Sequence, residues 1–395
     1  MAILQAVDER QVFQAWERQA FDPGVLRDLG FTVVFRGVPS DAGGPDYQEA
    51  VLSLDGRSLL SGDVEFHVNS SDWYRHGHHR DRQYNNVILH VVWLDDAGQT
   101  LTAEQRAVPT VAIGGSVQTL PRAGGAPLLR PHRCVSRFQA LSDARLAGGV
   151  RDLGWQRFEE RADRFEQEIL DLGADQTCYS CLLEACGYAS NREAFRRLAE
   201  AVPYGWIMCL PSEQRSAALI DAAGLGVAGP IAPPARLPLG VWRLRRLRPG
   251  NHPVRRLQAI GALLERFSPS LAEGLSDTVS GAQRPADLRR ALLIPDALGI
   301  GRADEMAVSA VLPFVAALAR SPVGSQRLML AYSSPPETRW TRVMLDLFQQ
   351  AGHNLKIRTA LQHQGAHLLY TRYCRGEGSP DCPLCQVSGG CRSVL

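Results

Sequence analysis

The sequence predicts an α+β protein: a mixed sheet with flanking helices over residues 1–135, then a mostly α-helical domain over residues 136–395 that ends in four cysteines. Three observations carry this expectation. Short alternating or continuous apolar runs crowd into the first third of the chain, as strands do. From Ala140 onward, apolar residues recur at helical spacing. Between the two regimes, residues 114–134 are rich in breakers (Pro121, Gly124, Gly125, Pro127, Pro131) and read as a linker or crossing loop.

Residues 8–21 place Val12, Phe13, Trp16 and Phe21 near helical spacing and read as a helix. Phe31–Val38 reads as a strand, ended by the turn-rich run Pro39–Pro45. Tyr47–Asp55 alternates with period two and meets Asp55-Gly56, a hairpin signal, so Leu59–Asn69 is its partner. A polar, His-rich stretch, Ser70–Asn85, precedes Asn86–Trp93, which reads as a buried strand. Val108–Ile113 is one more strand. Helices are expected over 152–172, 178–187, 191–201, 258–267, 286–293, 306–319 and 338–351, with a proline-rich break at Ala232–Pro238.

Hydrophobic residues make up 45% and charged residues 21%, enough apolar matter for a packed core. Without an apolar run of ~18 residues, no membrane span is expected. The start, MAILQAVDERQVFQAW, has no basic region leading into an apolar one, so a cytoplasmic location without a signal peptide is expected. A net charge of +2 does not by itself announce a polyanion binder, so local charge must. The nine cysteines of such a chain suggest metal binding before disulfides.

The first candidate site lies on the hairpin. Asp63, Glu65 and His67 share one strand face, while Val64 and Phe66 take the other. A hairpin partner brings Asp46 beside Glu65. Two carboxylates on neighbouring strands can hold Mg²⁺ or Mn²⁺, and the ion can activate water and stabilise charge at a phosphoryl centre. The following loop, Ser70–Asp81, adds Trp73 and Tyr74 as stacking faces and Arg75, His76, His78, His79 and Arg80 as cationic donors, a set suited to nucleic acid. Taken singly, each acid also fits a turn or the solvent face of a hairpin.

This order of elements resembles the PD-(D/E)XK nuclease superfamily, whose fold is that of restriction endonucleases. Pro45-Asp46 and Glu65-Phe66-His67 stand at its two motifs. The resemblance implies that Asp46 and Glu65 ligate the metal and that Glu17 or Glu9 is the further acid on the first helix. It implies a water-positioning lysine where this chain has His67, a departure that puts activity in question; histidine can position water or bind the metal. The stretches Gly44-Pro45-Asp46, Gly62–His67, Ser71–His79 and Tyr84–Val92 are also similar to an uncharacterised bacterial family known as a domain of unknown function. That similarity extends through Arg248–Pro253 to the C-terminal cysteines.

Cys374, Cys382, Cys385 and Cys391 give C-x7-C-x2-C-x5-C, a set that can hold zinc or an iron–sulfur cluster. The spacing resembles the 4Fe–4S loop of endonuclease-III-type DNA glycosylases and the C-terminal cysteines of cluster-bearing PD-(D/E)XK nucleases. Cys178, Cys181 and Cys186 read instead as buried apolar residues on a helix. The densest basic segment, 242–256, holds Arg243, Arg245, Arg246, Arg248, Arg255 and Arg256 without an acid, a candidate grip on a phosphate backbone. The expected function is a metal-dependent nuclease acting on DNA or RNA. The alternative is a non-catalytic nucleic-acid-binding protein with a degenerate nuclease fold and a structural metal.

Overall fold

The computed structural model describes residues 7–40, 44–54, 58–116, 133–226, 231–244, 252–319, 322–375, 379 and 381–386. The chain forms two compact units. The first comprises residues 1–146, 342–355 and 369–395; the second comprises 147–341 and 356–368. A single break near residue 135 leaves no place for this return of the C-terminal segments to the N-terminal unit.

The first unit begins with helix α1, Glu9–Glu17, and the short α2, Gly24–Arg27. Asp8 caps α1, accepting from the Gln11 amide while the Gln11 side chain accepts from the Asp8 amide. Strands β1 (Phe31–Phe35), β2 (Val38–Pro39), β3 (Tyr47–Leu54) and β4 (Ser58–Asn69) follow. Helix α3, Asp72–Arg75, lies in the crossover to β5, Val87–Leu94, and β6 (Thr100–Leu101), β7 (Ala107–Val108) and β8 (Thr110–Ala112) complete the set.

The main sheet runs β1-β3-β4-β5-β8, with β2 also paired to β3. β1, β3 and β4 are antiparallel neighbours, whereas β4, β5 and β8 are parallel. A parallel pair cannot be joined by a tight turn. The connection from Ser70 to Asn86 is therefore long, and it folds over one sheet face. The other face carries the apolar core. Val64 and Phe66 of β4 and Leu89 and Val91 of β5 pack with Val12 and Trp16 of α1. Phe13, Tyr47 and Phe66 meet there as a ring cluster with centroids 5.2–5.7 Å apart.

The C-terminal segments fasten to this unit through polar contacts. Asp346, on the helix Arg339–Gln350, pairs with Arg36 at 2.9 Å. His353 bonds Asp143 through Nδ1 and the Phe138 carbonyl through Nε2. The Tyr370 hydroxyl and the Arg375 guanidinium both reach the Glu49 carboxylate at 2.9 Å. Glu49 sits at a register shift in β3 with φ +62°, and Asp63 accepts its amide at 3.2 Å.

The second unit is helical, with Phe165, Cys178, Cys181, Cys186, Leu198, Leu263 and Phe314 among its buried core. The three cysteines are thus packed as small apolar residues. Two helices, Asp143–Leu172 and Ala360–Leu368, touch backbone to backbone: a Cβ on Gly154 would overlap the Leu361 carbonyl, and one on Gly365 the Val150 carbonyl. No described helix is long and apolar enough to cross a membrane.

At Gly365 the obstacle is a backbone oxygen, which cannot rotate aside as a side chain could. Gly365→Ala is expected to destabilise the chain by about 1–3 kcal/mol despite alanine's better helix propensity. Urea unfolding checks this; an unchanged midpoint would contradict the close approach.

Candidate metal centre

Period-two alternation decides which β4 side chains meet. With Val64 and Phe66 turned to the α1 core, Asp63, Glu65 and His67 face the opposite side, where they are 8%, 2% and 1% exposed. Parallel pairing sets His90 of β5 beside Glu65 in register. The crossover then covers this face. Trp73, Tyr84, Val87 and Val108 form a small apolar cluster over it. Gly77, at φ +78°, supplies the left-handed turn between His76 and His78.

The result is a convergence of imidazoles on one carboxylate. One nitrogen from each of His67, His76 and His78 lies within 4.8 Å of the others. His67 Nε2 is 3.1 Å from His76 Nδ1. Glu65 Oε1 lies 3.3 Å from His78 Nε2 and 3.8 Å from His67 Nε2. The other Glu65 oxygen accepts the Asp46 amide at 2.9 Å, and an Asp46 oxygen lies 3.3 Å from the Phe66 amide. His67 and His78 are buried and His76 is exposed, so the cluster opens to solvent on one side.

A chain of polar contacts runs behind His67 from its Nδ1, away from His76 and His78. The Thr110 hydroxyl reaches the Val108 carbonyl at 3.5 Å and lies 2.9 Å from the Thr100 hydroxyl. Thr100 Oγ1 is 3.1 Å from His90 Nδ1, and His90 Nε2 is 2.8 Å from His67 Nδ1. With Thr110 donating to the carbonyl, each link has one donor only if Thr100 donates to Thr110, His90 Nδ1–H to Thr100, and His67 Nδ1–H to His90. His67 Nε2 then presents its lone pair to His76, His78 and Glu65. Metal-bound histidines are commonly held by such a partner behind the ring.

Burial also keeps His67 and His90 neutral. It pushes His67 down to about 2, with further lowering from His90, His78 and His76. His90 is pushed down to about 3, again chiefly by burial and then by His78. Neutral imidazole is the form that coordinates a metal.

The remaining expected residues fall elsewhere. Asp63 is occupied at the β3 bulge, accepting from the Glu49 amide and from Asn86 Nδ2 at 3.2 Å. Glu17 ends α1, on the apolar-core side of the sheet, where its charge bears on Tyr47 and Asp346 rather than on the imidazoles. Trp73 offers no stacking face to a base: it is fully buried and donates Nε1–H to the Leu101 carbonyl at 2.8 Å. Tyr74 donates to the Gln99 carbonyl at 2.7 Å, and its ring lies 5.1 Å from that of half-buried His79. Arg75 is exposed and pairs with Asp72 at 2.6 Å. In the helical unit, the Arg243 backbone is bonded in both directions to the Asn191 side chain. Arg245, Arg246 and Arg248 lie outside the described residues, as does Cys391.

The C-terminal thiols have a neighbour from far upstream. Cys134, on helix Arg133–Gln139, lies 3.3 Å from Cys374, sulfur to sulfur. The sequence alone assigned no role to Cys134, His90, Thr100 or Thr110. His90 did carry one signal, a histidine inside an otherwise apolar run, Val87–Val92.

Fold and site together define a mixed-sheet α+β protein with a buried histidine–glutamate cluster. Residues 9–237 match the family described as a protein of unknown function (DUF2851), and the chain belongs to that family. No curated protein and no solved structure matches it.

In protein stripped with a chelator, ¹⁵N NMR should find His67 and His90 neutral throughout pH 5–8. Unfolded imidazoles titrate near 6.5, and these folded ones far lower. Their contribution to stability is therefore complete above about 6.5 and declines as pH falls toward about 3, because the unfolded chain then binds more protons. A ring titrating above pH 6 would contradict the burial assigned to it.

Proposed function

We propose that this protein is a metal-dependent hydrolase of phosphodiester bonds in DNA or RNA, with Glu65, His67, His76 and His78 as its metal ligands and Asp46 beside them. The observation that carries the reading is the convergence of three imidazoles on the buried Glu65 carboxylate, open to solvent at His76. A mixed nitrogen and oxygen donor set suits Mn²⁺, Zn²⁺ or Fe²⁺ better than Mg²⁺, which prefers oxygen ligands and retained water. Such an ion supplies a water of lowered pKa and polarises a phosphoryl oxygen.

The chain's own residues do the rest. Glu65 provides a carboxylate ligand facing His67 and His78. His90, Thr100 and Thr110 hold His67 in one tautomer. Arg75, Arg80 and Arg82 are exposed on the segment that closes over the site, forming a cationic rim suited to an anionic substrate. The order of one helix, an antiparallel meander and then a parallel strand supports a PD-(D/E)XK-like core, with Asp46 and Glu65 at the usual acidic positions. His67 then serves as a ligand where that superfamily has a water-positioning lysine.

A non-catalytic binder is the second reading. It is favoured by His67, whose Nδ1 is committed to His90, leaving no lysine-like group to orient water.

Purified protein should cleave labelled single- or double-stranded DNA or RNA with Mn²⁺ or Zn²⁺, and more weakly with Mg²⁺. Glu65→Gln, His67→Ala and Asp46→Ala should each lower the rate by at least about 100-fold, since even residues behind the ligands are commonly worth about 10- to 100-fold. His90→Phe should fall within that smaller range. Binding without cleavage under every metal would favour the second reading, and cleavage that survives Glu65→Gln would overturn the site.

A further inference from the structure

We infer that Cys134, Cys374, Cys382 and Cys385 together hold one thiophilic metal centre, a zinc ion or an iron–sulfur cluster, which ties the C-terminal segment to the helix Arg133–Gln139. The ligand set differs from the one the C-terminal spacing implies, because it draws on a residue 240 positions upstream.

The four sulfurs form a connected group. Cys134 and Cys374 are 3.3 Å apart. Cys385 contacts Cys134, and Cys382 contacts both Cys374 and Cys385. Cys134, Cys374 and Cys382 are fully buried and Cys385 is half-buried. The turn is built for two thiols on one side: the Cys385 and Gln386 amides both bond back to the Cys382 carbonyl, at 2.9 and 3.0 Å. The short helix Pro383–Gln386 that follows packs against Arg133–Gln139.

None of the four cysteines is in a disulfide, and the 3.3 Å between Cys134 and Cys374 far exceeds the ~2.05 Å of a sulfur–sulfur bond. Nor is mutual thiol contact a strong interaction, because S–H is a weak donor and sulfur a weak acceptor. Tetrahedral thiolates at ~2.3 Å from zinc stand about 3.8 Å from one another, a small outward shift from the 3.3 Å between Cys134 and Cys374. Arg137 also bonds Cys385 and reaches the Ser379 carbonyl at 3.3 Å. It places a cation where four thiolates would concentrate negative charge. The same segment holds Glu49 through Tyr370 and Arg375, so the centre would fix the tail against the β3 bulge.

The test counts metal in the full chain carrying Glu65→Gln and His67→Ala, which removes the histidine centre from the measurement. Anaerobically purified protein should contain either about one zinc per chain without colour, or iron and acid-labile sulfide with broad visible absorption. In both arms Cys134→Ser should lose most of the metal, and Cys209→Ser, an exposed thiol in the helical unit, should keep it. If Cys134→Ser does not fold, Co²⁺ added to the apo form of the otherwise unaltered chain should produce a thiolate-to-cobalt charge-transfer band. A Cys134→Ser chain that folds and retains full metal, or the absence of both native metal and a cobalt–thiolate band, would overturn the inference.

Discussion

A carboxylate and several imidazoles packed in one buried pocket cannot all carry charge. Glu65, His67, His78 and His90 are at most 5% exposed, and the rings crowd one another with centroids near 5 Å. Protonating His67 or His90 would bury a cation away from water and beside other imidazoles, which lowers the pKa of both. The pocket therefore keeps His67 and His90 neutral. This constraint gives the rest of the unit its purpose. The sheet supplies opposite faces, one for the apolar core and one for the donors. The crossover brings His76 and His78 and seals the face with Trp73 and Tyr84. With Thr110 donating to the Val108 carbonyl, the threonine–histidine relay places the His67 proton on Nδ1, away from the site.

Much of this was legible in the chain. Period two along Asp63–His67 already separated Glu65 and His67 from Val64 and Phe66, and the hairpin signal at Asp55-Gly56 set Asp46 near Glu65. Both depend on local geometry, which sequence records. The unread parts depend on long-range contacts. Nothing near Cys134 announces a partner 240 residues away, and nothing near Arg36 announces Asp346. Asp63 had the right face but a different task, because the bulge at Glu49 leaves an amide that needs an acceptor. Trp73 and His78 looked like surface residues of a polar loop. They are buried because that loop is the crossover a parallel strand pair requires, and its apolar side chains must cover the sheet.

The return of residues 342–355 and 369–395 to the N-terminal unit has a physical logic of its own. β3 is irregular near its start, where Glu49, a non-glycine residue in the left-handed region, directs its carboxylate at the tail. Tyr370 and Arg375 satisfy that carboxylate. Thus the ends of the chain share one unit, while the helical core between them is built on its own apolar cluster and its own backbone contacts at Gly154 and Gly365.

The central claim is that Glu65, His67, His76 and His78 bind one divalent ion. Diffraction from crystals soaked in Mn²⁺, with data collected to enhance manganese anomalous scattering, tests it without reference to any activity. The account predicts a single strong anomalous peak in coordination contact with Glu65, His67 Nε2 and His78, absent in Glu65→Gln. Manganese bound elsewhere while this pocket shows no peak, or a peak that persists unchanged in Glu65→Gln, would contradict it.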